Sequence, residues 1–286
     1  MAKKLGVLCA FAVAPTAFPD HNLTMLLIAQ FLISTLLMAQ VSSKPSDSVP
    51  RIDQNSMTAH SQLLEKAMTG RIDTYFLGDS ITRRWGTSDE KYKHFLANWR
   101  ENFFGWNAAN FGWGGDTTQN ILWRLNHGEL DSVNPKIIVL LAGTNNVGNK
   151  SPQGDEKVRA GEIAQGIKAI LDLCQKKAPK ATIILMGVFP RNDNMAVMPI
   201  IDDINSQIAK FADGKRIRFL NINDKLADKD GKLFDGVHNG DGLHLDLKGY
   251  QIWAGALKPI FKQLLGPPAK EDKAPPPTGD PSATKP

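Results

Sequence analysis

Ser80, Asp241 and His244 are residue types that together can carry out nucleophilic acyl transfer. A serine hydroxyl is a weak nucleophile and needs a base within hydrogen-bonding reach. An imidazole serves as that base when a carboxylate holds its far nitrogen. Ser80 follows the apolar run Tyr75, Phe76 and Leu77, which stops at Gly78. A serine just past a strand, opening a helical turn, exposes its oxygen and leaves backbone N–H groups free nearby. The same placement also suits a helix N-cap, so Ser80 alone leaves both roles open. Asp241 and His244 are three residues apart and can share one turn. Asp235 and His238 repeat that spacing six residues earlier, and two such pairs could also suggest metal ligation. The later pair is the better base, because it directly precedes an amphipathic stretch whose Tyr250 and Trp253 can anchor it. No third cluster of ligand-type residues occurs, and His94 and His127 read as exposed positions. The expectation is therefore no metal and no cofactor.

Ester hydrolysis develops negative charge on the attacked carbonyl oxygen, and donors must be aimed at it. The N–H of Gly115, the side-chain amide of Asn145 and the N–H of Ser80 are candidates for this oxyanion hole. The competing reading of Gly112, Gly114 and Gly115 is a tight turn, with Asp116 capping the next helix. Neither the G-x-G-x-x-G spacing nor a Walker lysine accompanies these glycines. Trp113 is a candidate lining residue of the substrate pocket. Phe111 and Trp106 fit the core as well as they fit a pocket.

These residues need elements to position them. Asp73 to Leu77, Asn107 to Phe111, Lys136 to Ala142, Thr182 to Val188 and Ile217 to Ile222 read as strands. Helical patterns cover Thr117 to Leu125, Glu156 to Lys177, Met198 to Phe211 and Leu247 to Leu265. Apolar strands alternating with amphipathic helices point to an α/β fold, a parallel sheet covered on both faces. The first three strands each end in a glycine-bearing polar turn. In a parallel sheet such turns share the carboxyl edge, where ligands bind in open α/β folds. The turn holding Asp241 and His244, just before the last helix, can reach the same edge.

The blocks Gly78-Asp79-Ser80, Asn110 to Thr118, Gly143-Thr144-Asn145 and Asp241 to His244 fall in the order of the SGNH (GDSL-type) hydrolases, which the chain resembles over nearly its whole body. The stretch from Asn110 to Asn146, including Ile121 to Leu125 and Gly128 to Leu130, is similar to the catalytic subunits of platelet-activating factor acetylhydrolase IB. The resemblance implies a flavodoxin-like three-layer α/β/α sandwich with a five-stranded sheet, and a metal-free serine esterase. It would make Ser80 the nucleophile, His244 the base and Asp241 its partner, with Ser80, Gly115 and Asn145 as the oxyanion hole. Trp113 stands where the acetylhydrolase pattern has a smaller aliphatic residue. The implied substrates are short-chain acyl esters, above all acetyl, on a small ester or an acetylated carbohydrate. Longer-chain lipase or thioesterase activity and a non-catalytic carbohydrate binder are the alternatives. A homodimer is one arrangement the resemblance leaves open.

Composition bounds the rest. The chain has 286 residues, 42% of them hydrophobic, enough for a sizeable core in one domain at residues 52–265. Lys3 and Lys4 precede apolar runs from Leu5 to Phe18 and from Leu23 to Val41. Small residues around Ser42 and Ser43 offer a cleavage site, so residues 1–43 read as an export signal in preference to an uncleaved anchor. That predicts a secreted or periplasmic protein whose leader could touch membrane transiently. Met25 is an alternative start. Only two cysteines occur, Cys9 in the leader and Cys174 in the body, so the mature chain is expected to hold no disulfide; Cys174 reads as a small buried thiol. Residues 266–286, rich in Pro and Lys, read as a disordered tail. The net charge of +5 is scattered and gives a nucleic-acid role no support.

Overall fold

A computed structural model of the chain describes residues 43–150 and 154–284. The expected export signal at residues 1–43 lies outside the described residues but for Ser43. Five strands form one all-parallel sheet: β1 (Thr74–Gly78), β2 (Ala108–Gly112), β3 (Ile137–Leu141), β4 (Thr182–Met186) and β5 (Ile217–Leu220). Their order is β2-β1-β3-β4-β5, the flavodoxin-like arrangement. In register, Gly78 at the end of β1 faces Gly112 of β2 and Leu141 of β3. The order reverses between β1 and β3, which opens a crevice at the carboxyl ends of those strands.

Strand side chains alternate between two cores, as a two-residue period requires. Tyr75 and Leu77 point into one, Phe76 into the other. The first core lies under α1 (Gln54–Ala67), α4 (Thr118–Asn126), α6 (Glu156–Lys177) and α7 (Met198–Ile208). The second lies under α2 (Ser80–Trp85), α3 (Lys93–Phe103) and α9 (Leu247–Leu265), and is rich in aromatics. Short helices α5 (Thr144–Val147) and α8 (Asn223–Leu226) follow β3 and β5. Trp85 stacks on Tyr250 at 4.9 Å and lies 5.0 Å from Trp253, so α2 and α9 are held against each other. Such aromatic pairs contribute about 0.5–1.5 kcal/mol beyond their buried area. Tyr250 Oη also donates to the Ile81 carbonyl at 2.8 Å. Cys174 is fully buried in the first core, and burial pushes its thiol up to about 12.

The helical patterns read from the sequence omit two long helices, α1 and α3, and the short α2, α5 and α8. The tail also differs from expectation. Described residues 266–284 run along the body and are tied to it by backbone hydrogen bonds. The Lys273 carbonyl accepts from Arg71 N–H at 2.7 Å, and Lys273 N–H donates to Asn107 Oδ1 at 2.7 Å. The Thr278 carbonyl accepts from Ser88 N–H at 3.2 Å. Asp280 accepts from Asn55 Nδ2 at 2.9 Å. The composition argument missed this because the seat rests mainly on backbone and carboxylate hydrogen bonds, with Pro275 and Pro281 buried beside them. One of these partners, Asn107, directly precedes the edge strand β2, where unpaired strand groups otherwise invite aggregation. On that strand Lys66 Nζ donates to the Asn110 carbonyl at 2.7 Å, and burial pulls this amine down to about 7.

Candidate active site

Ser80 is the first residue of α2, directly after β1, so its N–H is one of the helix's unsatisfied donors. The helix starts there because the Asp79 side chain accepts from Ile81 N–H at 2.9 Å. Asp79, not Ser80, is the N-cap, which leaves the serine hydroxyl free for other partners. Asp79 is fully buried, and burial pushes its carboxyl up to about 7. Ser80 Oγ lies 2.8 Å from His244 Nε2, and His244 Nδ1 lies 2.7 Å from Asp241 Oδ2. An ionised carboxylate only accepts, so Nδ1 carries the ring proton and Nε2 faces Ser80 as an acceptor. The structure thus brings together three residues spread over 164 positions of the chain.

Burial lowers the His244 pKa from its ordinary value, and the Arg84 charge adds to this, against the opposing effect of Asp241. The ring is held neutral at neutral pH, the state in which it can take a proton. Burial works to raise Asp241, but N–H donors from His244 and Leu243, with the imidazole, hold it at about 2. Asp241 therefore stays charged wherever His244 titrates. Arg84 Nη1 stands 3.5 Å from Asp241 Oδ2, and its guanidinium lies 5.2 Å above the Tyr92 ring.

The turn that presents Asp241 and His244 is backed by the loop after β4. Gly242 has a φ of +70°, and a Cβ there would lie 2.6 Å from Asp193 N. The close approach lets Asn192 N–H donate to the Gly242 carbonyl at 2.6 Å. Arg191 clamps this loop, reaching Asp193 and the Thr144 carbonyl, the latter at 2.9 Å. His238 sits elsewhere in the turn. Its Nδ1 accepts from the N–H groups of Gly240 and Gly242 at 3.1 and 3.2 Å, so it braces the loop. Asp235 makes its hydrogen bond through its carbonyl, to Lys248 Nζ at 2.8 Å.

Gly115 and Asn145 sit beyond β2 and β3, at the same carboxyl edge as Ser80. Gly115 adopts a φ of +79°, a left-handed conformation that glycine takes without strain. Asn145 Nδ2 donates one hydrogen to the Asp116 carbonyl at 2.8 Å and keeps a second to give. Arg51 Nη1 donates to the Gly114 carbonyl at 3.0 Å, beside Gly115. Trp113 directly follows β2. Its indole is only 7% exposed and donates to Ser56 Oγ of α1 at 2.9 Å, with the Arg83 guanidinium 4.8 Å from the ring. A buried indole N–H needs an acceptor, and the acceptor lies on the helix the sequence reading missed. Trp113 is thus largely buried and anchors the end of β2 to α1. Phe111 and Trp106 are also core residues.

Sequence reasoning did not single out Arg51, Arg84, Arg191 or His60, and it gave Asp116, Arg124 and Glu129 no role as a buried ionic group with His60. No sequence pattern distinguishes such charges from surface ones. Among the described residues, no group of three or more His, Cys, Asp or Glu side chains is arranged to hold a metal ion. Among them, too, no helix is long and apolar enough to cross a membrane.

Comparison with known proteins identifies the family. The GDSL-like lipase/acylhydrolase family profile matches residues 76–252. The bovine (Bos taurus) platelet-activating factor acetylhydrolase IB subunit alpha1 is 32% identical over 219 residues, covering 74% of this chain and 85% of that protein. The human (Homo sapiens) alpha2 subunit is 32% identical over 237 residues, covering 80% and 95%. A GDSL-like lipase from Bacteroides thetaiotaomicron shares the fold with a TM-score of 0.54 at 22% identity, over 73% of this chain and 96% of that one.

Proposed function

The chain belongs to the GDSL-like lipase/acylhydrolase family and is an ester hydrolase, and from that premise we propose that it cleaves short-chain acyl esters, above all acetyl, through Ser80, His244 and Asp241. The observation that carries this reading is the continuous hydrogen-bonded line from Asp241 through His244 to Ser80 Oγ. His244 Nε2 takes the Ser80 proton as Oγ attacks the ester carbonyl. Asp241 holds the ring in the required tautomer and balances the imidazolium that forms. The tetrahedral oxyanion is met by the N–H of Ser80, the N–H of Gly115 and the free amide hydrogen of Asn145. Collapse expels the alcohol, which collects the proton from His244. Water then repeats the sequence on the acyl-serine and releases the carboxylic acid.

The acetyl preference is supported by the relatives, whose names are those of acetylhydrolases. The alcohol side we assign to small esters, including acetylated carbohydrates. The N-terminal pattern supports export from the cytoplasm, which N-terminal sequencing of the mature protein would test. The test of the function is p-nitrophenyl acetate turnover. Ser80→Ala should abolish it while leaving the melting temperature near wild type. Wild-type turnover in that variant would refute the mechanism. A chain-length series should show activity falling from acetyl to octanoyl esters. A rise with length would favour the longer-chain lipase reading.

A further inference from the structure

The segment holding Arg124 and Glu129 contributes nothing that touches Ser80, yet it carries costly chemistry. Arg124 is 4% exposed and Glu129 is fully buried. Arg124 Nε donates to Asp116 Oδ2 at 2.7 Å, and its Nη1 donates to Glu129 Oε2. Its Nη2 stands 3.5 Å from the Gly78 carbonyl, two residues before Ser80. Glu129 Oε1 lies 2.8 Å from His60 Nδ1. Taking such charges out of water carries a large desolvation cost, and apolar residues of similar size often serve stability as well or better.

What the group touches suggests why it is there. Asp116 directly follows Gly115, and its carbonyl is the acceptor for Asn145 Nδ2. The Asp116 N–H returns to the Trp113 carbonyl at 3.3 Å, and Trp113 N–H donates to the Gly78 carbonyl at 3.1 Å. The turn carrying Gly115 is thus held through Asp116 at carboxylate, carbonyl and N–H. Arg124 meets both that turn and the end of the strand that presents Ser80. Its planar fork makes these contacts in a fixed geometry that a lysine does not reproduce.

We propose that Arg124, acting through Asp116, is the positioning residue that sets Gly115 N–H and Asn145 Nδ2 at their working distance from Ser80. The inference rests on the serine esterase reading above. Donors aimed at the oxyanion act in the transition state more than in the ground state, so misplacing them lowers kcat and spares KM.

The test is steady-state kinetics on p-nitrophenyl acetate with Arg124→Lys and Asp116→Asn, each also combined with Asn145→Ala. Removing a single oxyanion donor costs roughly 10²–10³ in kcat, so tilting the donors should cost on the order of 10- to 100-fold, with KM within about twofold. Combination with Asn145→Ala should lose less than the product of the single losses, because both changes act on the same donors. Asp116→Asn keeps the side chain's shape and an acceptor for Arg124, and it decides the matter if Arg124→Lys fails to fold. Wild-type kcat in the folded variants would overturn the proposal. So would a multiplicative loss with Asn145→Ala, a raised KM at unchanged kcat, or failure of both variants to fold. Full turnover in Ser80→Ala would instead remove the esterase reading itself, which separates the two failures.

Discussion

Two Asp/His pairs of identical spacing lie in one loop, Asp235 with His238 and Asp241 with His244, and they do different work. His238 turns its Nδ1 toward two backbone N–H groups and braces the chain. His244 spends one nitrogen on Asp241 and the other on Ser80. The difference lies in the surroundings. Gly242 allows the loop after β4 to approach closely, and Tyr250 ties α9 to the start of α2. Spacing makes a pair possible; the elements on either side decide which pair meets the serine.

That contrast can be broken by mutation. His244→Ala should lower kcat by roughly 10⁴-fold or more, since triad members act as a unit. His238→Ala should stay within about tenfold, its effect arising from a looser loop after losing two modest hydrogen bonds. Equal losses in p-nitrophenyl acetate assays would erase the distinction. Asp241→Asn should cost roughly 10²–10⁴ in kcat through loss of the required tautomer, while Asp235→Asn should be near neutral.

The pH profile sharpens the contrast further. His244 must be neutral to accept a proton, and its pKa lies below the ordinary 6.5. The acid limb of kcat/KM should therefore have its midpoint below 6.5, with a plateau above it. Burial and Arg84 both lower the His244 pKa, so Arg84→Gln should move that limb to higher pH and leave the plateau within about threefold. A limb that moves down would contradict the assigned electrostatics. The smallest effect concerns stability in acid. Asp241, held at about 2 in the folded chain, contributes stability above the unfolded carboxylate value near 3.8 that is lost as pH falls toward 2. Thermal melts should show a weaker acid dependence over that window in Asp241→Asn than in wild type.

Much of the fold was legible in the sequence, because β1, β3, β4 and β5 are near-continuous apolar runs. Their ends differ from the expected ones by at most two residues. The helices at Glu156–Lys177 and Leu247–Leu265 match the expected spans. In α3, Phe95, Leu96, Trp99 and Phe103 follow a helical period that could have revealed the helix. In α1 the period is masked, because polar Ser56, His60 and Lys66 occupy buried positions. The five candidate site residues stand out in the sequence because each lies just past a strand or before the last helix. Asp116, Arg124 and Glu129 lie inside the stretches that carry the resemblance, but nothing in the sequence marks their charges as buried and paired. The anchoring bond of Trp113 had no marker either, because its partner, Ser56, lies on α1. The tail was misjudged because composition reports apolar content and is silent on backbone hydrogen bonds.

The central claim is that Ser80 is a nucleophile made reactive by His244. The most direct measurement is covalent labelling with a fluorophosphonate, followed by peptide mapping, in wild type, His238→Ala and His244→Ala. The account predicts one adduct, on Ser80, formed quickly in wild type and His238→Ala and at least about 10²-fold more slowly in His244→Ala. An adduct on another residue, or labelling of Ser80 that depends on His238 and not on His244, would contradict it.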